Sequence, residues 1–377
     1  MNAATPKYIW LHKDWSRFSW QSERLLPLLG KTRLAQGKLL ARVKALGIHM
    51  THEAQAEVLI EEAVKTAAIE GEVLNRDSVR SSVAKHLGLR QAGLPRADRH
   101  VDGLVDVLLE ATQNYDQPLA VKRLWSWQAA LFPTGYSGLH KIHVGRWRGV
   151  HAMQVVSGPV GREKIHFEAP PTDRLNHEIR DFLDWWKESL GQTEGFLRAA
   201  IAHFWFVTLH PFEDGNGRIA RVLTDMALAQ DENLHVRFYS LSSQIMEERN
   251  AYYDVLERCQ KGGRDITAWL TWFLECLGRA MDKSETIIAK ILAKAEFWQR
   301  HSQTPMNERQ RKVVNRLLDA GEGSFQGGLT TRKYVSLTKA SRATAFREIS
   351  DLVDKKALVR KQKSKGRSTS YDLNWNE

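Results

Sequence analysis

Apolar positions recur along most of this chain at helical spacing, i, i+3, i+4 and i+7, rather than in the alternation of half-buried strands. The pattern predicts helices over 24–46, 53–70, 77–86, 98–112 and 119–131. The second of these runs into Gly71, a residue suited to closing a helix C-terminus. Gly93-Leu94-Pro95 and Phe132-Pro133-Thr134-Gly135 interrupt the pattern. Between 145 and 171 the character changes, and 153–168 reads as two short β-prone arms around a Gly/Pro turn, a lone hairpin. Such a hairpin is marginal by itself and needs something to pack on. Helical spacing resumes over 175–186, 195–209, 218–230, 242–259 and 265–277, and 282–300 reads as a polar connecting helix. The last stretch predicts helices over 308–320, 331–335 and 342–354, then strands over 357–360 and 370–373.

The expected fold is therefore mainly α. At 377 residues the chain exceeds one ordinary domain. The expected division is an N-terminal helical extension (1–99), a helical core (100–280), a connector (281–305) and a C-terminal unit (306–377). No run approaches the roughly 18 apolar residues of a membrane span, and the N-terminus carries no secretory core. Cys259 and Cys276 have neither metal-ligand spacing nor the number for a disulfide framework, and read as reduced and structural, as in the cytoplasm. Of the formal net charge of +11, residues 281–377 supply most, with 20 Lys+Arg against 11 Asp+Glu. That asymmetry points to a polyanion-binding tail on a nearly neutral body.

The densest chemistry lies between His210 and Arg221. An apolar helix delivers His210 to its end, Pro211 stops it, and Gly215-Asn216-Gly217 forms a tight turn before a new helix. A small-residue turn at a helix N-terminus offers free backbone N–H groups and a positive dipole end, a cradle for an anion. Arg218 and Arg221, three apart on one face, can grip phosphate oxygens. Asp214 is a hard oxygen ligand suited to Mg²⁺, and His210 can take a proton near neutral pH. Base, carboxylate, cradle and clamps together suit attack by a hydroxyl on a nucleotide phosphate. His203, two turns earlier on the same helical face, reads as a packed residue or one that supports the site from behind.

The stretch His210-Pro211-Phe212-Glu213-Asp214-Gly215-Asn216-Gly217-Arg218-Ile219-Ala220-Arg221 resembles the signature of the Fic/Doc family, His-x-Phe-x-Asp/Glu-Gly-Asn-Gly-Arg-x-x-Arg, with every fixed position filled. The resemblance spans roughly residues 100–280 and implies a Fic-type helical core with the hairpin as its flap. It implies protein adenylylation, the transfer of AMP from ATP to a Ser, Thr or Tyr hydroxyl of a protein target. On that footing His210 deprotonates the hydroxyl, Phe212 anchors the loop, and Asp214 holds Mg²⁺. Gly215, Asn216 and Gly217 form the anion hole, with Asn216 at the α-phosphate. Arg218 takes the β-phosphate and Arg221 the γ-phosphate. The flap, with Val155, Val156, Ile165 and His166, docks the target segment as an added strand. Tyr252 and Tyr253 either border the adenine or are core aromatics. Relatives also suggest a homodimer.

Thr66-Ala67-Ala68-Ile69-Glu70-Gly71 resembles the family's inhibitory motif, Ser/Thr-x-x-x-Glu-Gly/Asn. By that resemblance Glu70 pairs with Arg221 and denies it to the γ-phosphate. Two other functions stay open: Fic-type transfer of another phospho-group or removal of AMP, and a nucleic-acid-binding regulator with a nucleotide-sensing Fic core. The C-terminal unit resembles a winged helix-turn-helix, with Arg342 and Arg347 on the recognition helix and Lys363, Lys365 and Arg367 on the wing, meeting either DNA phosphates or a protein.

Overall fold

The computed structural model describes residues 6–44, 48–89, 96–158, 162, 164–321, 325–361 and 369–375. The chain divides into two compact units, one of 1–44 with 55–284 and one of 45–54 with 285–377.

Along the chain a 3-10 turn, Ile9–Leu11, precedes α1 (Ser22–Lys44), α2 (Ile48–Ile69, of which 48–54 belong to the second unit), α3 (Arg76–His86), α4 (Arg99–Gln113) and α5 (Val121–Leu131). Strands β1 (Tyr136–Ser137), β2 (His140–Lys141), β3 (Gln154–Ser157) and β4 (Lys164–Glu168) follow, then α6 (Thr172–Glu188), α7 (Gly195–Leu209), α8 (Asn216–Glu232), α9 (Leu241–Glu247), α10 (Arg249–Gln260) and α11 (Thr267–Arg300). Helix α7 is apolar around nearly its whole circumference, so it sits at the centre, with α8 packed along it. The indole N–H of Trp269 donates to the Ala200 carbonyl (2.8 Å), locking α11 against α7. Two N-terminal tryptophans do similar work: Trp10 donates to the Glu168 carbonyl (2.7 Å) at the end of β4, and Trp15 to Glu178 (2.9 Å) on α6.

The hairpin β3–β4 is antiparallel, pairing Gln154 with Glu168 and Ser157 with Lys164, with a register irregularity between Val155 and Val156. Phe167 on β4 is buried and anchors it. It is not a lone hairpin: β1 and β2 form a second one of two residues per strand, too short to leave a period-2 signature. Three helical expectations also change. The helix expected at 218–230 begins at Asn216, because Gly215 at φ 90° serves as its N-cap. The helix expected over 242–259 is two, α9 and α10, parted at Glu248 (φ −108°, ψ 25°), whose carboxylate is held by Arg279. The segments at 265–277 and 282–300 are one continuous helix, α11, since no proline intervenes and Gly278 is tolerated inside it.

In the second unit α12 (Glu308–Ala320), α13 (Thr331–Thr338) and α14 (Arg342–Asp354) precede an antiparallel pair, β5 (Leu358–Arg360) and β6 (Tyr371–Leu373). Asn307 and Gln310 form a capping box on α12, and the Ser341 hydroxyl caps α14 by accepting from the Thr344 N–H (3.1 Å). Lys339 at φ 59° makes the turn between α13 and α14. Leu317, Leu329, Tyr334, Ile349, Leu352 and Leu373 meet in the core.

Candidate active site

The loop between α7 and α8 is built by backbone constraint. His210 ends α7 in the left-handed region (φ 47°), a conformation that side chains with a Cβ seldom adopt. Its Nδ1 stands 3.2 Å from the Val207 carbonyl, so Nδ1 donates and Nε2 keeps its lone pair for a proton. Burial, with the charge of Arg148 adding to it, pulls the imidazole below its ordinary pKa against the pull of the Val207 carbonyl, Glu70 and Asp214, so the ring is neutral near pH 7. Phe212 is buried, against Trp147 and Phe206. The Asn216 side chain closes the loop, accepting from the Phe212 N–H (2.9 Å) and donating to the Phe212 carbonyl (2.8 Å). What Asn216 offers an anion is therefore its backbone N–H rather than its amide. No side chain caps α8, which leaves its first-turn N–H groups for a ligand. Asp214 accepts from the Gly215 N–H (2.6 Å) and from the Ser137 hydroxyl on β1.

Both arginines of α8 are buried, and both meet acids from the segment after α2. Arg221 donates through Nε to the Thr66 hydroxyl (2.6 Å) and through Nη2 to the Thr66 carbonyl (3.0 Å) and Glu70 (2.7 Å). Burial is the strongest single influence and opposes its charge, but Glu70 together with Tyr252 and Tyr253 holds the guanidinium above its usual pKa. Its Nη1 is buried with no hydrogen-bond partner among the described residues. Arg218 pairs with Glu72 (3.2 Å), lies over the Phe132 ring, and its buried Nε has no hydrogen-bond partner among the described residues. Glu72 also stands 3.6 Å from His100.

The end of α2 explains how Glu70 and Glu72 are aimed. The N–H of Gly71 (φ 85°) bonds the Ala68 carbonyl and that of Glu72 bonds the Ala67 carbonyl, a Schellman turn. The Ile69 carbonyl is held by Arg249 (2.9 Å) and the Tyr253 hydroxyl (3.3 Å) from α10. Gly217 completes the fit: a Cβ there would stand 2.2 Å from the Glu70 carboxylate and would push that side chain aside.

The structure thus brings Thr66, Glu70, Gly71, His210, Asp214, Gly215, Asn216, Gly217, Arg218 and Arg221 together. Tyr253 borders this group, but Tyr252 is buried with its hydroxyl on His203 and not on an open face. On the flap Val156 and Ile165 are paired and exposed (49% and 42%), and Val155 is half-buried. His166 is engaged by Ser157 (2.6 Å) and by Glu257 of α10 (2.6 Å), so it pins the flap to the body instead of standing free for a target. Arg342 and Arg347 are exposed on α14 of the other unit; Lys363, Lys365 and Arg367 lie outside the described residues.

Pattern reading missed four contributors. Glu72 left only a weak signal, an acid two places after Glu70. Arg148, 4% exposed, ties the loop down: its Nε donates to the His210 carbonyl (2.8 Å), its backbone N–H to the Pro211 carbonyl (2.9 Å), and Nη1 to Thr172 (3.0 Å). Glu213 accepts from the His143 N–H (2.8 Å). Ser137 holds Asp214, and no local motif announces it.

Among the described residues no group of three or more His, Cys, Asp or Glu could hold a metal unaided. Mg²⁺ at a phosphate site takes one or two carboxylates, with substrate oxygens and water completing its shell. The partly exposed Asp214 beside an anion cradle with two orphaned arginine N–H groups fits that requirement. No helix among the described residues is long and apolar enough to cross a membrane.

Comparison with known proteins agrees with this geometry. Residues 118–228 match the Fic/DOC family, and residues 8–89 match a domain of unknown function, DUF4172. The chain is 29% identical over 149 residues to Protein adenylyltransferase Fic of Nematostella vectensis, covering 38% of this chain and 30% of that protein. It is 44% identical over 82 residues to Protein adenylyltransferase fic-1 of Caenorhabditis elegans, covering 21% and 16%. The chain thus spans less than a third of the length of these relatives. In fold it resembles a crystal structure of a Fic family protein from Desulfovibrio desulfuricans, with TM-score 0.53 at 19% identity, over 93% of this chain and 95% of the other. Motif, fold and sequence match lead to one conclusion: the chain carries a domain of the Fic/DOC family over residues 118–228.

Proposed function

We propose that this chain is an autoinhibited protein adenylyltransferase. A hydroxyl oxygen of a protein Ser, Thr or Tyr attacks the α-phosphorus of ATP, the bond to the β-phosphate oxygen breaks, and pyrophosphate leaves. The hydroxyl proton passes to Nε2 of His210, whose Nδ1 is committed to Val207. The α8 N-terminus and Arg218 neutralise the phosphates, and Arg221 receives the terminal one once Glu70 lets go. Mg²⁺ held by Asp214 would supply charge neutralisation across the phosphates. The exposed edge at Val156 and Ile165 suits an added target strand.

One observation carries the reading. Two buried arginines at an uncapped helix N-terminus each keep an N–H with no partner among the described residues, and each is otherwise occupied by a carboxylate from the same turn. A buried cation with orphaned donors is costly unless an anion completes it. The test is mass spectrometry of the Glu70→Gly protein incubated with ATP and Mg²⁺ in a cytosolic extract. Mass gain by one AMP on a protein is expected; gain of a different group would replace the donor, and no product would overturn the activity. Removal of AMP is a second reading, favoured by the Glu70 side chain being about one-third exposed and free to orient water. It predicts loss of AMP from a modified protein, abolished by Glu70→Gly.

We also propose that the second unit binds duplex DNA, with α14 as the reading helix. Arg342 and Arg347 are exposed on it beside an exposed Phe346, in the basic part of the chain. A mobility shift with random duplex should weaken steeply with salt. Absence of any shift at low salt would favour a protein-docking role instead.

A further inference from the structure

We propose that Glu257 and His166 are positioning residues for the protein substrate: a hydrogen-bonded chain from α10 through the His166 ring to Ser157 fixes the outer half of the flap, on which the target strand is laid. The inference rests on the adenylyltransferase reading of the site.

The pair β3–β4 has no third strand among the described residues, and two strands alone are marginal. Its inner end is anchored. Phe167 is buried edge-on against Tyr8, with ring centres 5.3 Å apart, and Trp10 donates to the Glu168 carbonyl (2.7 Å). The outer end, Val156 and Ser157 opposite Ile165 and Lys164, is exposed. His166 stands between the two ends. The register pairs Val155 with Phe167 and Val156 with Ile165, so His166 is the extra residue of the irregularity and has no partner across the pair. A bulge of this kind re-aims a side chain. Here the ring spans from the Ser157 hydroxyl on β3 (2.6 Å from Nε2) to Glu257 on α10 (2.6 Å from Nδ1). Burial opposes the charge of Glu257, but Lys261 and His166 hold its carboxyl below the usual range, so near neutrality it only accepts. Nδ1 therefore donates to it, and in the neutral ring Nε2 accepts from Ser157.

The spacing on α10 gives this chain its consequence. Arg249, Tyr253 and Glu257 are four apart and share one face of the helix. Arg249 (2.9 Å) and Tyr253 (3.3 Å) hold the Ile69 carbonyl, in the turn that aims Glu70 at Arg221. Glu257 holds the flap. One face of one helix thus fixes both the turn at the phosphate arginines and the strand pair that takes the target. Transfer requires the target hydroxyl to stand in line with the α-phosphorus, and a misplacement of about 1 Å can cost on the order of 100-fold in rate. Tying the flap to α10 sets that distance. A histidine serving only the hairpin itself would need Ser157 and no carboxylate on another element.

The test uses the full chain carrying Glu70→Gly as parent, with Glu257→Ala, Glu257→Gln or His166→Ala added. Labelling from α-labelled ATP is followed against a dilution series of cytosolic extract, and Mg·ATP affinity is measured by calorimetry. Glu257→Ala and His166→Ala should raise the half-saturating extract concentration roughly 10-fold, with the maximal rate and the ATP affinity within about twofold of the parent. Glu257→Gln, which keeps an acceptor for the Nδ1 proton, should stay close to the parent. Amide exchange over 154–157 and 164–168 should quicken in Glu257→Ala, while α8 is unchanged. A half-saturation unmoved by Glu257→Ala, a rise matched by lost ATP affinity, an equal loss in Glu257→Gln, or unchanged exchange in the flap each overturns the inference and leaves the adenylyltransferase reading standing. If the parent labels no protein, that reading fails and the inference with it. Should His166→Ala fail to fold, Glu257→Ala, at a side chain 26% exposed, decides alone.

Discussion

Replacing Glu70 with glycine perturbs one contact that the structure specifies closely. The carboxylate accepts from Arg221 Nη2 at 2.7 Å, and the arginine side chain is 2% exposed while that of Glu70 is 33% exposed. A charge-assisted bond of this length contributes about 1.5–3 kcal/mol. Discounting for solvent at the Glu70 end leaves about 1–2 kcal/mol that ATP must overcome to claim the arginine. Removing it should raise nucleotide use roughly 5- to 30-fold under subsaturating ATP. The assay is incorporation of label from α-labelled ATP into the protein itself, for wild type, Glu70→Gly and Glu70→Gly with His210→Ala. The double variant should show no labelling, since the base is gone. The same substitution leaves Arg221 buried with less compensation, so the ligand-free protein should melt at a lower temperature, and ATP should raise that temperature more than in the wild type. Equal labelling of wild type and Glu70→Gly would refute the reasoning, as would a Glu70→Gly protein whose melting temperature is unaffected by ATP.

Two further outcomes follow from the same geometry. Glu72→Gln should raise labelling by a smaller factor, up to about fivefold, because the Arg218 pair is longer, at 3.2 Å, and its acid is 38% exposed; an increase matching that of Glu70→Gly would mean that the two acids act as one lock. The pH profile of kcat/KM in the Glu70→Gly background should show its acid limb below about pH 6.5 and be flat through neutrality. The sign follows from burial depressing His210, which keeps the base form populated at lower pH, and losing Glu70 removes one influence that raised it. A limb centred above pH 7 would mean that another group is the base.

Much of the molecule was legible from local pattern. Helix α7 announces itself by a run of apolar residues closed by His210-Pro211, and α12 and α14 begin and end where their caps say. The glycine turn and paired arginines could be read as a candidate anion site because backbone geometry and spacing along a helix are local properties. Local signals misled where neighbours decided the outcome. Glu248 splits α9 from α10 while gripped by Arg279, and α11 runs on because nothing in its own residues stops it.

The site's state was settled by contacts that no window of sequence contains. Sequence alone marked out a small-residue turn at a helix start, a histidine beside it and an acid at the end of an earlier helix. Tertiary structure set that acid on Arg221 across 151 positions, placed Glu72 on Arg218, bound the loop with Arg148, and put His203 behind Tyr252. The physical reason is that a cap or a turn is satisfied by atoms a few residues away. A buried charge has to be satisfied by whatever the packed helices bring to it.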